Sequence, residues 1–192
     1  MTSLPLALAL FVSGPLPQSR EQVEMTAVSA HIHQIAPRVS AKRVRYLARE
    51  FVRAGHKYDV DPSLMASIAM VESRFRPGLE AHWINKGKPT TDRGLMQVNQ
   101  VWVDRWSLDP DKLRDDDAYN IMVAARILKI IKKQFGQNEK NWFTRYNSSW
   151  PPARAKYTKV LYPQLPLSIW MTVAPDTAPT PRTGLILASV RL

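Results

Sequence analysis

Within the stretch Ser67–Gly78, SIAMVESRFRPG, Glu72 is the single acid in a run that is otherwise apolar and helix-forming up to its serine. If Pro62 to about Phe75 is helical, the residues three, four and seven places back, Ala69, Ile68 and Met65, share the face of Glu72. All three are apolar, so the spacing puts the carboxyl at the rim of the core or in a cleft. Burial there disfavours the ionised form and raises the pKa, which suits a general acid working near neutral pH. An ion pair with Arg74 or Arg76 at the helix end explains the same spacing, and the pattern taken alone favours it. Asp92 and Glu80, in the connection that follows, are the acids available as a second carboxylate. With Asp92 about 6.5 to 9.5 Å from Glu72, an inverting hydrolase using a bound water becomes possible.

The elements that must position these acids read as helices. In KRVRYLAREFVRAGHKY, Val44, Leu47, Phe51, Ala54 and Tyr58 recur at three and four, with a basic opposite face. Asp61 and Pro62 form an N-cap and first-turn proline, and Pro77-Gly78 closes that segment. A third helix runs from DDDAYN to IKKQFG, acids first, lysines last, Gly136 as the stop; its apolar interior predicts a buried central helix. Shorter helices are expected near Leu95–Trp106, Lys140–Tyr146 and Ala153–Leu161. HWINKGKPTTDRG, with Gly87, Pro89 and Gly94, is a long connection or small hairpin of the kind that carries function.

Composition bounds the partners. Hydrophobic residues at 45% and charged residues at 22% predict a folded chain, and 192 residues suit one domain with tails. Twenty-seven Lys and Arg against sixteen Asp and Glu give +11, which favours a polyanionic partner. The absence of cysteine excludes disulfides and thiolate-ligated metals; no metal or other cofactor is expected. Leu4–Val12 is too short to span a bilayer, and its flanks suit a signal segment poorly. Proline clusters divide the chain into an N-terminal arm or signal segment (1–40), a domain (41–162) and a Pro-rich tail (163–192) whose end can dock on the domain or on another subunit. No helix-turn-helix, zinc or ribbon signature accompanies the charge, so specific nucleic-acid binding is not expected.

ESRF at Glu72–Phe75, GLMQV at Gly94–Val98, RYN at Arg145–Asn147 and KYTKVL at Lys156–Leu161 together resemble the catalytic domain of the soluble lytic transglycosylase family. The resemblance covers about residues 45–162. It implies a mainly α, goose-type lysozyme-like fold (α+β) with a small loop or hairpin insertion and extended arms. It also implies cleavage of the MurNAc–GlcNAc β-1,4 bond of peptidoglycan with a 1,6-anhydro product. Glu72 would be acid and then base, and the substrate's N-acetyl group would stabilise the oxocarbenium-like centre. By the same resemblance Ser73, Gly94, Met96, Gln97, Tyr146, Asn147 and Tyr157 bind substrate. Ser73 and Gln97 would hydrogen-bond sugar, Met96 would line the cleft, and Gly94 would let glycan approach the backbone. Two departures stand out: Ser148-Ser149-Trp150 follow the YN pair where the family has a glycine, and Arg145 replaces a small residue. Trp83 on the connection is the tryptophan best placed to face sugar. A structural subunit of a phage virion or envelope-spanning secretion machine, assembling through its arms, is the alternative of another class. The expected location is the periplasm or cell envelope, or a virion.

Overall fold

The computed structural model describes residues 19–85 and 87–173. The segment Leu4–Val12 and the tail beyond Val173 lie outside the described residues, so the expectations for a signal segment and for the end of the tail fall outside them too.

Two stacked helices carry the main core. Helix α2 (Ala41–Tyr58) starts at Ser40, whose hydroxyl accepts from the Arg43 amide, and buries Val44, Leu47, Phe51 and Ala54 as its spacing predicts. Helix α3 (Pro62–Glu72) starts where one oxygen of Asp61 accepts from the amides of Ser63 (2.7 Å) and Leu64 (3.0 Å), with Pro62 in the first turn. Helix α1 (Arg20–Ile35) packs on both, with Val28, His31 and Ile32 in the core. The folded unit therefore starts well before residue 41, because α1 covers apolar surface of α2 and α3 that would otherwise face water.

Sheet and remaining helices follow in chain order. Strands β1 (Glu80–Asn85) and β2 (Lys88–Arg93) pair antiparallel with Asn85 opposite Lys88, and Gly87, just before β2, takes φ 78°. A short β3 (Val98–Asn99) adds to β2, with Asn99 opposite Asp92. The expected connection is thus a hairpin within a three-stranded sheet, and the helix expected from Leu95 shrinks to α4 (Gln100–Trp106) because Gly94–Val98 turns back onto the sheet. Helix α5 (Pro110–Asp115) leads into the long α6 (Asp117–Phe135), which packs on α2 and buries nine residues; it is central, though Arg126, Lys129 and Ile130 face out. A 3-10 turn, Trp142–Tyr146, and α7 (Pro151–Leu161) complete the core, with Phe143, Tyr157 and Leu161 buried. Beyond residue 162 the chain stays attached: Leu165 is buried and α8 (Leu167–Val173) lies against the core.

Candidate active site

The acid is the last residue of its helix. The spacing predicts α3 to about Phe75, but it ends at Glu72, where Ser73 caps it and Arg74 (φ 55°) and Phe75 (φ 59°) both take the left-handed conformation. Two successive non-glycine residues there cost on the order of 1 kcal/mol or more each. The surroundings enforce the turn: the Phe75 side chain is buried, the Arg74 amide donates to Met70 O (3.1 Å), and Arg76 Nε donates to Ser73 O (3.0 Å). Arg43 of α2 adds a long bond to Phe75 O (3.4 Å) while paired with Asp117.

Glu72 itself is half-buried as a residue, with Met65, Ile68 and Ala69 fully buried on its helix. Burial pushes the pKa of its carboxyl up to about 7 from the ordinary 4.5. The negative end of α3 acts in the same direction. Opposing burial, the Tyr157 hydroxyl donates to Glu72 Oε1 at 2.7 Å and favours the ionised form; the charge of Asp92 raises the pKa a little further. Among the described residues no arginine pairs with Glu72, so the ion pair with Arg74 or Arg76 does not form; Arg76 is spent on Ser73 O. Two contacts thus define the acid: an apolar bed and one phenol.

The second carboxylate is held by the sheet. Asp92 Oδ1 accepts from Asn99 Nδ2 at 2.6 Å and Oδ2 accepts from Trp83 Nε1 at 2.8 Å. Asn99 lies opposite Asp92 in the register, and Trp83 lies on the diagonal, two residues beyond Ala81, the β1 partner of Asp92. Burial raises the Asp92 pKa, while the Asn99 and Trp83 bonds pull it back. Trp83, 42% exposed, keeps its indole open to solvent.

The other residues of the resemblance separate into those near the acid and those behind it. Tyr157 is buried against Glu72, and Tyr146 donates to Met96 O at 2.8 Å; burial first, then the charges of Glu72 and Asp92, hold the Tyr146 phenol well above its ordinary pKa. Ser73 lies on the protein side: it is 1% exposed and its hydroxyl donates to Ala69 O at 3.2 Å, which closes the helix rather than facing sugar. Met96 is a fully buried core side chain whose amide donates to Asn120 Oδ1 (2.7 Å). The Gln97 amide nitrogen is committed to Leu79 O (3.1 Å) and Gly94 O (2.8 Å). Asn147 is exposed at the end of the 3-10 turn.

Gly94 is required by the packing of the protein itself. At φ 75°, an added Cβ would lie 2.2 Å from Leu113 O and 2.3 Å from Asn120 Nδ2, so the fold admits no side chain here. Asn120, fully buried, is the residue that spacing missed: it binds Arg93 O, Leu113 O and the Met96 amide, fastening the Gly94–Gln97 turn to α6. Its one sequence signal is an amide in the first turns of an otherwise apolar helix. Arg145, the unusual residue before the YN pair, forms a two-pronged pair with Glu139, which Arg154 also meets at 2.7 Å.

Comparison with known proteins places the chain in a family. The model of the family "Transglycosylase SLT domain" matches residues 50–156, more than half of the chain. The "X polypeptide" of Escherichia coli (strain K12) is 36% identical over 91 residues, 45% of this chain and 51% of that protein. The "Invasion protein IagB" of Salmonella typhimurium (strain SL1344) is 27% identical over 114 residues, 57% of this chain and 68% of that protein. The chain thus spans about half the length of the X polypeptides it matches.

Proposed function

The chain belongs to the transglycosylase SLT domain family, and from that premise we propose that it cleaves the MurNAc–GlcNAc β-1,4 bond of peptidoglycan with Glu72 as its acid. The observation that carries this reading is the setting of Glu72: a carboxyl at an apolar helix end, held by a phenol and, among the described residues, by no cation.

With its pKa near 7 the carboxyl is substantially protonated at neutral pH. The proton passes to the glycosidic oxygen, the C1–O bond breaks, and an oxocarbenium-like centre forms. The Glu72 carboxylate then keeps the Tyr157 hydrogen bond, so the phenol supports the charged half of the cycle without blocking the protonated half. In the second half Glu72 takes the proton of the muramyl C6 hydroxyl as its oxygen closes on C1. The product carries a 1,6-anhydro ring, no water is consumed, and Glu72 regains its proton. Tyr146, tied to Met96 O, and Trp83, with its exposed indole, are the side chains we assign to the sugar wall.

Asp92 favours one further reading. Its carboxylate is fixed by two donors and its charge reaches Glu72, so a hydrolase in which Asp92 handles a water is the alternative. Weighing the muropeptides released from purified peptidoglycan separates the two: anhydro ends lighter by one water support the transglycosylase, and hydrated reducing ends support the hydrolase. No release by the wild type, or undiminished release by Glu72→Gln, refutes both. We place the activity at the cell envelope and assign it to local opening of the wall, a use that suits similarity to a protein named for invasion.

A further inference from the structure

We propose that a lysine-walled groove at the far end of α6 is a second binding site for the wall, taking the carboxylates of the peptidoglycan stem peptides. This rests on the reading of peptidoglycan as substrate.

The groove, about 430 Å³, lies between Tyr58 and Asp59 at the end of α2 and Lys129, Lys132 and Lys133 in the last turns of α6, with Trp142 beside them. Asn120, which fastens the turn beside the acid, sits 13 residues before Lys133 on the same helix, roughly 20 Å along it. The groove is therefore outside the catalytic cleft.

Its charge is unbalanced. Lys132 is satisfied by Asp59, through the carbonyl at 2.7 Å and the carboxylate at 2.9 Å. Lys129 and Lys133 are exposed, one turn apart on one face, and neither has a hydrogen bond or ion pair among the described residues. Like charges at that spacing repel. The negative end of α6 offsets part of this, but three lysines face the single acid Asp59. A neighbouring cavity shares Asp59 and Lys132 yet balances its cations with Glu24 and Asp61; the surplus is local to the α6 side. Half-buried Tyr58 and Trp142 add apolar wall. A neutral sugar chain has no use for the lysines, whereas a short peptide with several carboxylates and small apolar side chains matches both walls.

The test uses the full chain carrying Glu72→Gln, so that the wall is not consumed, and two preparations of glycan strands immobilised on beads, one with stem peptides intact and one stripped by an amidase. Pull-down is expected to show about fivefold tighter binding to the intact strands at low salt. Adding Lys129→Ala and Lys133→Ala should remove that preference. Lys42→Ala with Arg45→Ala, which removes two exposed charges from α2, should leave it. The proposal is overturned if the lysine variant keeps the preference, if both double variants lose it equally, or if a single-stranded oligonucleotide displaces the protein better than free stem peptide does. Anhydro products from stripped glycan test the cleft separately. If the chain with native Glu72 makes none, the proposed reaction fails; if Lys129→Ala/Lys133→Ala makes them normally while its binding is unchanged, only the groove fails.

Discussion

Two glutamates each accept a hydrogen bond from a side chain of α7 and meet opposite environments. Glu139 lies between the guanidinium groups of Arg145 and Arg154, and Arg145 first, then Arg154, hold its carboxyl below the ordinary range. Glu72 is met by the Tyr157 hydroxyl from the same helix and lies on an apolar bed that pushes it up to about 7. A carboxylate facing two cations stays ionised and fixes chain segments to each other. A carboxyl given a neutral donor and little water keeps a proton it can release. The difference lies in the partner, not in the acid.

The largest effect expected from breaking this contrast is at Glu72. Glu72→Gln keeps an oxygen for the Tyr157 hydroxyl but has no proton to give, so release of muropeptides should fall by about a thousandfold or more. Stability should move the other way. The folded pKa lies above the unfolded one, so the folded state binds the proton more tightly, and stability falls as pH rises from about 4.5 through about 7. The full gap is worth about 3 kcal/mol. Glu72→Gln should therefore be more stable than wild type at pH 8 and equal to it below pH 4, a gap that opens with pH and that chemical denaturation at the two pH values measures.

Tyr157→Phe sharpens the comparison by removing the neutral donor while keeping the ring. The bond favours the ionised carboxyl, so its loss should raise the Glu72 pKa further and move the alkaline limb of the pH–rate profile to higher pH. The plateau should drop about tenfold, because the carboxylate formed in the first step is less supported. A limb that stays put or moves to lower pH would show that the phenol does not act on the acid.

Glu139→Gln tests the other side. One amide cannot satisfy two guanidinium groups, and the loss of these charge-assisted bonds, partly screened at this half-buried site, should cost about 1–2 kcal/mol. For a domain of this size that lowers the melting temperature by about 3–6 °C, with activity per folded molecule retained. Because the Glu139 pKa is depressed, the stabilisation is present above the unfolded carboxyl pKa and disappears as pH falls through the folded one, the opposite slope to Glu72.

Much of the Glu72 region was legible in the sequence because its signals are local. The Asp61-Pro62 cap, the apolar positions at three, four and seven, and the stripe of α2 each depend on neighbours a few residues apart. What was not legible depends on distant contacts. Nothing in Arg74-Phe75 marks a left-handed pair; burial of Phe75 and a bond from Arg43 on another helix impose it. Gly94 invited an explanation through ligand, but its neighbour is Asn120, 26 residues on. Helix α1 has little apolar periodicity, and only its fit over α2 and α3 explains its order. Tyr157, 85 residues from the acid, came from the resemblance alone.

The smallest expected effect separates the two readings of Asp92. Asp92→Asn removes a negative charge whose influence on Glu72 is weaker than that of burial or of Tyr157. The Glu72 pKa should fall slightly, and the alkaline limb should move to lower pH, opposite to Tyr157→Phe. Asparagine offers one acceptor oxygen where aspartate offers two, so either the Trp83 or the Asn99 bond is lost and the sheet loosens locally. Product masses should nevertheless remain anhydro, with activity reduced only modestly. If Asp92 instead activates water, the same substitution abolishes hydrated product and moves no limb in proportion. A small shift with unchanged product mass therefore assigns Asp92 to setting the acid's proton affinity, and a large loss without a shift assigns it to the chemistry.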